Sequence, residues 1–195
     1  MNQYFSKEND QLKNSPKQIV FKINQREYTM ETDSGVFSRA GLDYGTRVLL
    51  ETILPIHANT ILDLGCGYGP IGIVLSKETK ASVLMADINP RAVELSKKNA
   101  IRNKADVEVI ETDGFKEVLE TFDVIVTNPP IRAGKQIYYD WFAKSKGFLT
   151  DSGAFYVVIQ KKQGAPSAIR ELEKYYDKVD VLDKKSGYYV IKCQM

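Results

Sequence analysis

Cysteine is scarce in this chain. Cys66 and Cys193 match no metal-ligand spacing and cannot form a disulfide framework, so no metal centre is expected. No run of eighteen apolar residues is present, and no segment has the charged start and apolar middle of a secretory leader. A reduced, cytoplasmic setting away from membranes is the expectation. An excess of one charge is also missing. The 27 basic and 25 acidic residues leave a net charge of +2, and bulk electrostatics alone does not mark a nucleic-acid binder. No internal repeat or low-complexity tract interrupts the chain. With 195 residues, 43% of them hydrophobic, it suits one sizeable domain.

What is present is an alternation. From Thr60 onward, short β-branched apolar runs alternate with helical patterns, as a parallel sheet covered on both faces requires. Strands are predicted at 60–65, 81–87, 107–113, 122–128 and 153–160. A helix should start at Pro70. Another should start at Asn89-Pro90, where a capping side chain precedes a residue suited to the first helical turn. Ile137, Tyr138, Trp141, Phe142, Ser145 and Phe148 recur at helical spacing, as do Ile169, Leu172 and Tyr176, so both helices should face the sheet. VDVLDKK and GYYVIKC, joined through Ser186-Gly187, leave no room for a crossover and must pair antiparallel. Before Thr60 the pattern differs. Residues 1–34 read as an N-terminal extension: 1–18 polar and partly mobile, VFKI and YTME bracketing a hairpin, and basic and acidic side chains in equal number, so that it is no electrostatic arm but can cap a pocket. Residues 35–195 form the main domain, with a short helix predicted at 46–54.

The run Asp63-Leu64-Gly65-Cys66-Gly67-Tyr68-Gly69-Pro70 lies between the first parallel strand and its helix. Glycines there permit a tight turn and close approach of backbone to a nucleotide. The spacing is G-x-G-x-G, with Pro70 where a dinucleotide reader has its last glycine. Asp63 at the strand end suits a ligand bearing an ammonium, such as S-adenosylmethionine, better than one bearing phosphates. Asp87 ends the next strand about twenty residues on, where a carboxylate can take both ribose hydroxyls. Asp113 can accept from an adenine amino group, with Gly114 and Phe115 beside the ring. Each carboxylate taken alone also reads as a solvated strand end.

These segments, DLGCGYGP, ADINP, ETDGF and VIVTNPP, resemble the successive motifs of class I S-adenosylmethionine-dependent methyltransferases. The resemblance implies a Rossmann-like α/β fold with a seven-stranded sheet of order 3-2-1-4-5-7-6, the last strand antiparallel. It also implies cofactor contacts at Asp63, Gly65, Cys66, Gly67, Gly69, Asp87, Ile88, Asp113, Gly114, Phe115 and Asn128, with S-adenosylhomocysteine as product.

Asn128-Pro129-Pro130 follows the fourth strand of that sheet. Two prolines lock the backbone and withhold N–H donors, leaving an acceptor-rich corner. The Asn128 side-chain oxygen and the Pro129 carbonyl can both accept from one amino group and turn its lone pair toward a sulfonium methyl, so positioning rather than a strong base carries the catalysis. Neither cysteine lies near this turn to act as a nucleophile on a pyrimidine carbon; Cys66 reads as a small filler of the glycine loop. Amino-group methyltransferases usually continue the turn with a stacking aromatic. Here Ile131 stands in that place, and Phe37 is the candidate to supply the stacking.

Between 131 and 170 the basic residues Arg132, Lys135, Lys144, Lys146, Lys161, Lys162 and Arg170 face only Asp140 and Asp151 as acids. A basic rim can grip phosphates. Lys144 and Lys146 suit a solvated helix face, while Lys161 and Lys162 suit either role. GVFSRAGLDYGTRVLLE, NPPIRAGK and KKSGYYVIKC together resemble the small-subunit (16S) ribosomal RNA guanine-N2 methyltransferases, in a short form lacking their N-terminal pseudo-catalytic domain. That resemblance implies Phe37 and Ser38 in the pocket, guanine N2 as acceptor, ribosomal RNA or the small subunit as partner, and Ile131, Arg132, Lys135, Lys161 and Lys162 near the substrate. From the residues alone Phe37 serves equally as core, and three other functions stay open: a glutamine-amide protein methyltransferase, an adenine-N6 DNA methyltransferase, and an RNA-binding module that keeps the cofactor fold without catalysis.

Overall fold

The computed structural model describes residues 15–195. Most of the polar start expected to be mobile therefore lies outside the described residues. Lys17 and Gln18, also assigned to it, are strand residues paired with Thr32 and Glu31.

Strands β1 (Lys17–Ile23) and β2 (Arg26–Thr32) form the expected hairpin, a sheet of their own. Its outer edge would leave β2 amides unpaired. Two asparagines one turn apart on α3 (Pro90–Asn103) meet that edge instead: Asn99 exchanges hydrogen bonds with the Glu31 backbone at 2.7 and 2.8 Å, and Asn103 does the same with Thr29 at 3.2 and 2.9 Å. A side-chain amide carries one donor and one acceptor like the backbone, so it continues the ladder.

The main sheet contains β3 (Thr60–Leu64), β4 (Ser82–Asp87), β5 (Glu108–Glu111), β6 (Phe122–Thr127), β7 (Leu149–Gln160), β8 (Lys178–Lys185) and β9 (Tyr188–Gln194). Their order is β5-β4-β3-β6-β7-β9-β8, with β9 antiparallel to both neighbours, as expected. Period-2 alternation divides the core. Ile61, Val124, Val126, Ala154, Tyr156 and Val158 face the hairpin, α1 (Tyr44–Ile53), α2 (Pro70–Glu78) and α3. Leu62, Leu64, Ile125, Phe155, Val157 and Ile159 face α4 (Lys135–Ser145) and α5 (Ala165–Leu172).

Three boundaries differ from expectation for local reasons. β5 ends at Glu111 because Thr112 donates back to Asp87 O at 2.9 Å and the chain then turns at Gly114, φ +63°, which puts Asp113 on a loop. β7 begins at Leu149, ahead of Gly153. α5 ends at Leu172, whose carbonyl takes the N–H groups of Tyr175 and Tyr176 in a closing turn. Among the described residues no helix is long and apolar enough to cross a membrane.

Candidate active site

The C-terminal ends of β3, β4 and β6 open onto a cleft of about 980 Å³ including its mouth. The glycine loop forms its floor. Gly65 and Cys66 donate to Ala86 O at 2.8 and 3.0 Å, and Gly67 donates to Asp87 Oδ2 at 2.8 Å. Asp87 Oδ1 accepts from Asn89 N–H at 2.9 Å, so one carboxylate ties the loop to the start of α3 while still lining the cleft. Burial raises its pKa against the pull of those N–H donors.

Asp63 is placed differently from the sequence expectation. Strand alternation turns it to the face shared with Ile61, where it is fully buried and Oδ2 accepts from Gly72 N–H of α2 at 2.8 Å. It does not line the cleft. Its other oxygen has no partner among the described residues, and burial, reinforced by the nearby Asp87, pushes its pKa up to about 7. Gly69 also lies behind the wall, as the left-handed cap of α2.

The aromatic wall is Trp141 of α4, which reads in sequence only as a core-facing helix residue. A Cβ at Gly65 would come within 3.0 Å of its Cη2, and one at Gly114 within 3.0 Å of its Nε1. Two glycines from two different strand ends thus make room for one indole. Ile88, Thr112, Asp113 and Gly114 line the same end of the cleft. Asp113 pairs with Lys116 at 2.5 Å in an exposed contact. Phe115, expected against a nucleobase, is buried outside the cleft and stacks on Phe148 with ring centroids 4.5 Å apart. The turn at Gly114 directs it back into the core.

The opposite end is built on Asn128. Its Nδ2 donates to Asp43 Oδ2 and to Thr46 Oγ1, both at 2.9 Å. An ionised carboxylate can only accept, so it fixes which way the amide points. Nδ2 faces Asp43, and Oδ1 is left without a donor among the described residues. Asp43 also caps α1 by accepting from Thr46 N–H at 3.0 Å, so the helix cap and the amide lock are one carboxylate. Pro130 (φ −76°, ψ 71°) sits at the centre of an inverse γ-turn in which Pro129 O accepts from Ile131 N–H at 2.8 Å, leaving that carbonyl one lone pair.

Phe37 lines the cleft, 42% exposed, and does not belong to the core. The segment carrying it is pinned to α3 by Asn89 Nδ2 donating to Gly35 O at 3.0 Å and Arg91 donating to Ser34 O at 2.7 Å. It is thus the chain just after the hairpin, not the hairpin itself, that borders the cleft. Ser38 turns away: at φ +58° its hydroxyl donates to Gly41 O at 2.7 Å. Ile131 packs against the α4–α5 core, and Ala133, Ile137 and Pro130 take its place along the cleft. Arg132, Lys135, Lys161 and Lys162 are exposed outside the lining. Lys144 pairs with Asp140 at 2.7 Å on a solvated helix face. Sequence reasoning missed Trp141, Asp43, Thr46 and Tyr68. Tyr68 is buried in the lining with its hydroxyl unpartnered among the described residues, and burial with the nearby Asp43 charge holds that hydroxyl well above its ordinary pKa.

Residues 27–192 match the model of the methyltransferase small domain. The chain belongs to that family. It is 44% identical to the uncharacterized protein YbxB of Bacillus subtilis, over all of this chain and 99% of that one. It is 37% identical over 132 residues to ribosomal RNA small subunit methyltransferase C of Escherichia coli, a match covering 64% of this chain and 38% of the relative. The chain therefore spans little more than a third of that enzyme. Among solved structures, the Thermus thermophilus 16S rRNA N2 G1207 methyltransferase in complex with AdoMet and guanosine superposes with a TM-score of 0.84 and 24% identity, covering 92% of this chain and half of that one. The Lactobacillus delbrueckii ribosomal protein L11 methylase follows at 0.68 and 22% identity, covering 77% of this chain and 79% of that one. Both superpositions cover most of this chain and show a shared fold. The chain is accordingly a methyltransferase of class I architecture.

Proposed function

We propose that this protein transfers a methyl group from S-adenosylmethionine to the exocyclic N2 of a guanine in small-subunit ribosomal RNA, acting in the cytoplasm on the RNA or the subunit. The observation that carries the reading is the locked amide of Asn128, which presents an acceptor, with a second acceptor lone pair on Pro129.

The cleft suits the cofactor. Gly65 and Gly67 present no side chain to it, Asp87 keeps lone pairs for ribose hydroxyls, and Trp141 and Ile88 offer apolar surface to adenine, with Asp113 and Gly114 at its edge. Asp63 holds the first turn of α2 through Gly72 N–H and does not reach a ligand ammonium directly. S-adenosylmethionine, when bound, supplies an electrophilic methyl on a sulfonium.

Everything else is done by the chain. Asn128 Oδ1 and Pro129 O accept the two amino hydrogens and so aim the nitrogen lone pair, while Pro129 and Pro130 offer no competing N–H. Phe37 stacks on the base. Arg132, Lys135, Lys161 and Lys162 meet neighbouring phosphates at the rim. Because N2 is engaged in pairing, the guanine must be single-stranded or flipped. The choice of guanine is supported by the Thermus thermophilus enzyme, named for N2 of G1207, and that of small-subunit ribosomal RNA by the name of the Escherichia coli relative as well.

The test is nucleoside analysis of ribosomal RNA methylated with labelled cofactor. N2-methylguanosine is expected, and Asn128→Ala should lower its rate by at least about 100-fold, as removing one preorganised transition-state hydrogen bond does. Label in N6-methyladenosine, or in protein glutamine, overturns the guanine assignment.

A further inference from the structure

The closing hairpin reaches the site edge of the sheet. Because β9 runs antiparallel to β7, the turn at Ser186-Gly187 lies beside the end of β7, where Lys161 N–H donates to Gly187 O at 2.7 Å and Tyr188 pairs with Gln160. The same turn meets the start of α1. The Tyr44 hydroxyl is 3.1 Å from Ser186 Oγ, and its ring tilts against Tyr188 at a centroid distance of 5.7 Å. Tyr188 in turn fills the space over Gly45, where a Cβ would come within 2.7 Å of its Cε1.

Tyr44 is thus held at its hydroxyl and along one side, yet remains 39% exposed. It directly follows Asp43, the residue that orients Asn128, so it stands next to the acceptor end of the cleft. Exposed lysines flank the turn: Lys161 and Lys162 after β7, Lys184 and Lys185 at the end of β8. Lys185 is neutralised by Glu51 at 3.0 Å. Lys184 lies over the Tyr189 ring, 5.0 Å from its centroid, on the sheet face opposite Tyr188 and Tyr44. Lys161 and Lys162 make no ion pair among the described residues. Pre-set aromatic surface interleaved with uncompensated cations is the chemistry of single-stranded nucleic-acid binding, in which bases stack and phosphates release counterions.

We propose that this corner docks the single-stranded RNA flanking the acceptor base, with the neighbouring base on Tyr44 and backbone phosphates on Lys161 and Lys162. The proposal rests on the RNA reading above and adds the closing hairpin to the substrate site. It accounts for a pocket whose catalytic turn carries no stacking aromatic of its own: part of the grip on RNA lies one nucleotide away.

Fluorescence anisotropy with a labelled single-stranded RNA of about twelve nucleotides, from 50 to 200 mM KCl, tests it on the full chain. Replacing Lys161 and Lys162 by Glu should weaken binding about tenfold or more and flatten the salt slope by about 1.4, at roughly 0.7 for each phosphate left unneutralised. Tyr44→Ala should weaken binding about fivefold or more with the slope unchanged, and Tyr44→Phe should retain affinity. Cofactor affinity within about twofold of wild type shows that each variant is folded. If the variants bind RNA like wild type while wild type methylates RNA, the docking face is refuted and the RNA reading stands. If wild type binds no RNA and label enters protein alone, the RNA reading falls and the proposal with it. Loss of binding to polyglutamate with RNA binding intact would give the corner to an acidic protein segment and overturn the proposal.

Discussion

Replacing Asp43 by Ala should slow methyl transfer although Asp43 does not line the cleft. In the native protein its carboxylate accepts from Asn128 Nδ2 at 2.9 Å and from Thr46 N–H at 3.0 Å. The second partner of Asn128, the Thr46 hydroxyl, can donate as readily as it accepts, so it holds the amide without choosing its direction. Asp43 alone makes that choice. A hydrogen bond to a charged group is worth about 1.5–3 kcal/mol, so its loss frees the amide to turn and should reduce kcat by roughly 10- to 150-fold. The same change removes the cap of α1, costing about 1 kcal/mol and lowering Tm by about 2–4 °C in a chain of this size. The two effects separate in assay: steady-state kcat at 25 °C reports orientation, scanning calorimetry reports the cap, and KM for the cofactor should stay near wild type. Asp43→Asn keeps an acceptor and a cap and should be milder than Ala in both readouts. A variant that shows the expected fall in Tm but keeps kcat within about twofold would refute the lock, because the amide would then be oriented by something else.

Asp63→Asn should stabilise the protein at alkaline pH. The carboxyl has a folded pKa of about 7 against an ordinary 3.8, so folded and unfolded chains are both neutral here below pH 4, and wild type loses stability as pH rises toward 7. The neutral variant does not, and its relative gain should approach about 4 kcal/mol at pH 8, from 1.36 kcal/mol per pKa unit. Calorimetry at pH 5 and pH 8 checks this, and an equal difference at both pH values would remove Asp63 as the cause. Trp141→Ala should weaken cofactor binding about tenfold, given roughly 1–3 kcal/mol for a base on an aromatic ring. Titration calorimetry showing unchanged affinity would take the indole out of the cofactor wall.

Much of this protein follows from local chemistry. Alternation of β-branched runs with capped helices produces the seven-stranded sheet, since side-chain period and turn residues act over a few positions. The absence of a crossover between VDVLDKK and GYYVIKC compels the antiparallel closure. The glycine loop, Asp87, Asn128 and Pro130 are readable as one cleft because each stands at a strand end, whereas Phe37 reads equally as core without the resemblance. Side-chain direction is not readable. Strand parity sends Asp63 under the loop, and a positive φ at Gly114 sends Phe115 to Phe148. Trp141 becomes a wall of the cleft only because glycines at 65 and 114, far from it in sequence, lack side chains. The orientation of Asn128 depends on Asp43, 85 residues earlier, and the basic aromatic corner joins residues 44, 161 and 186. Local pattern dictates which elements form and which chemistry they carry. Which distant groups meet is settled by the folded chain, because hydrogen-bond direction and steric vacancy belong to pairs of residues that no local pattern links.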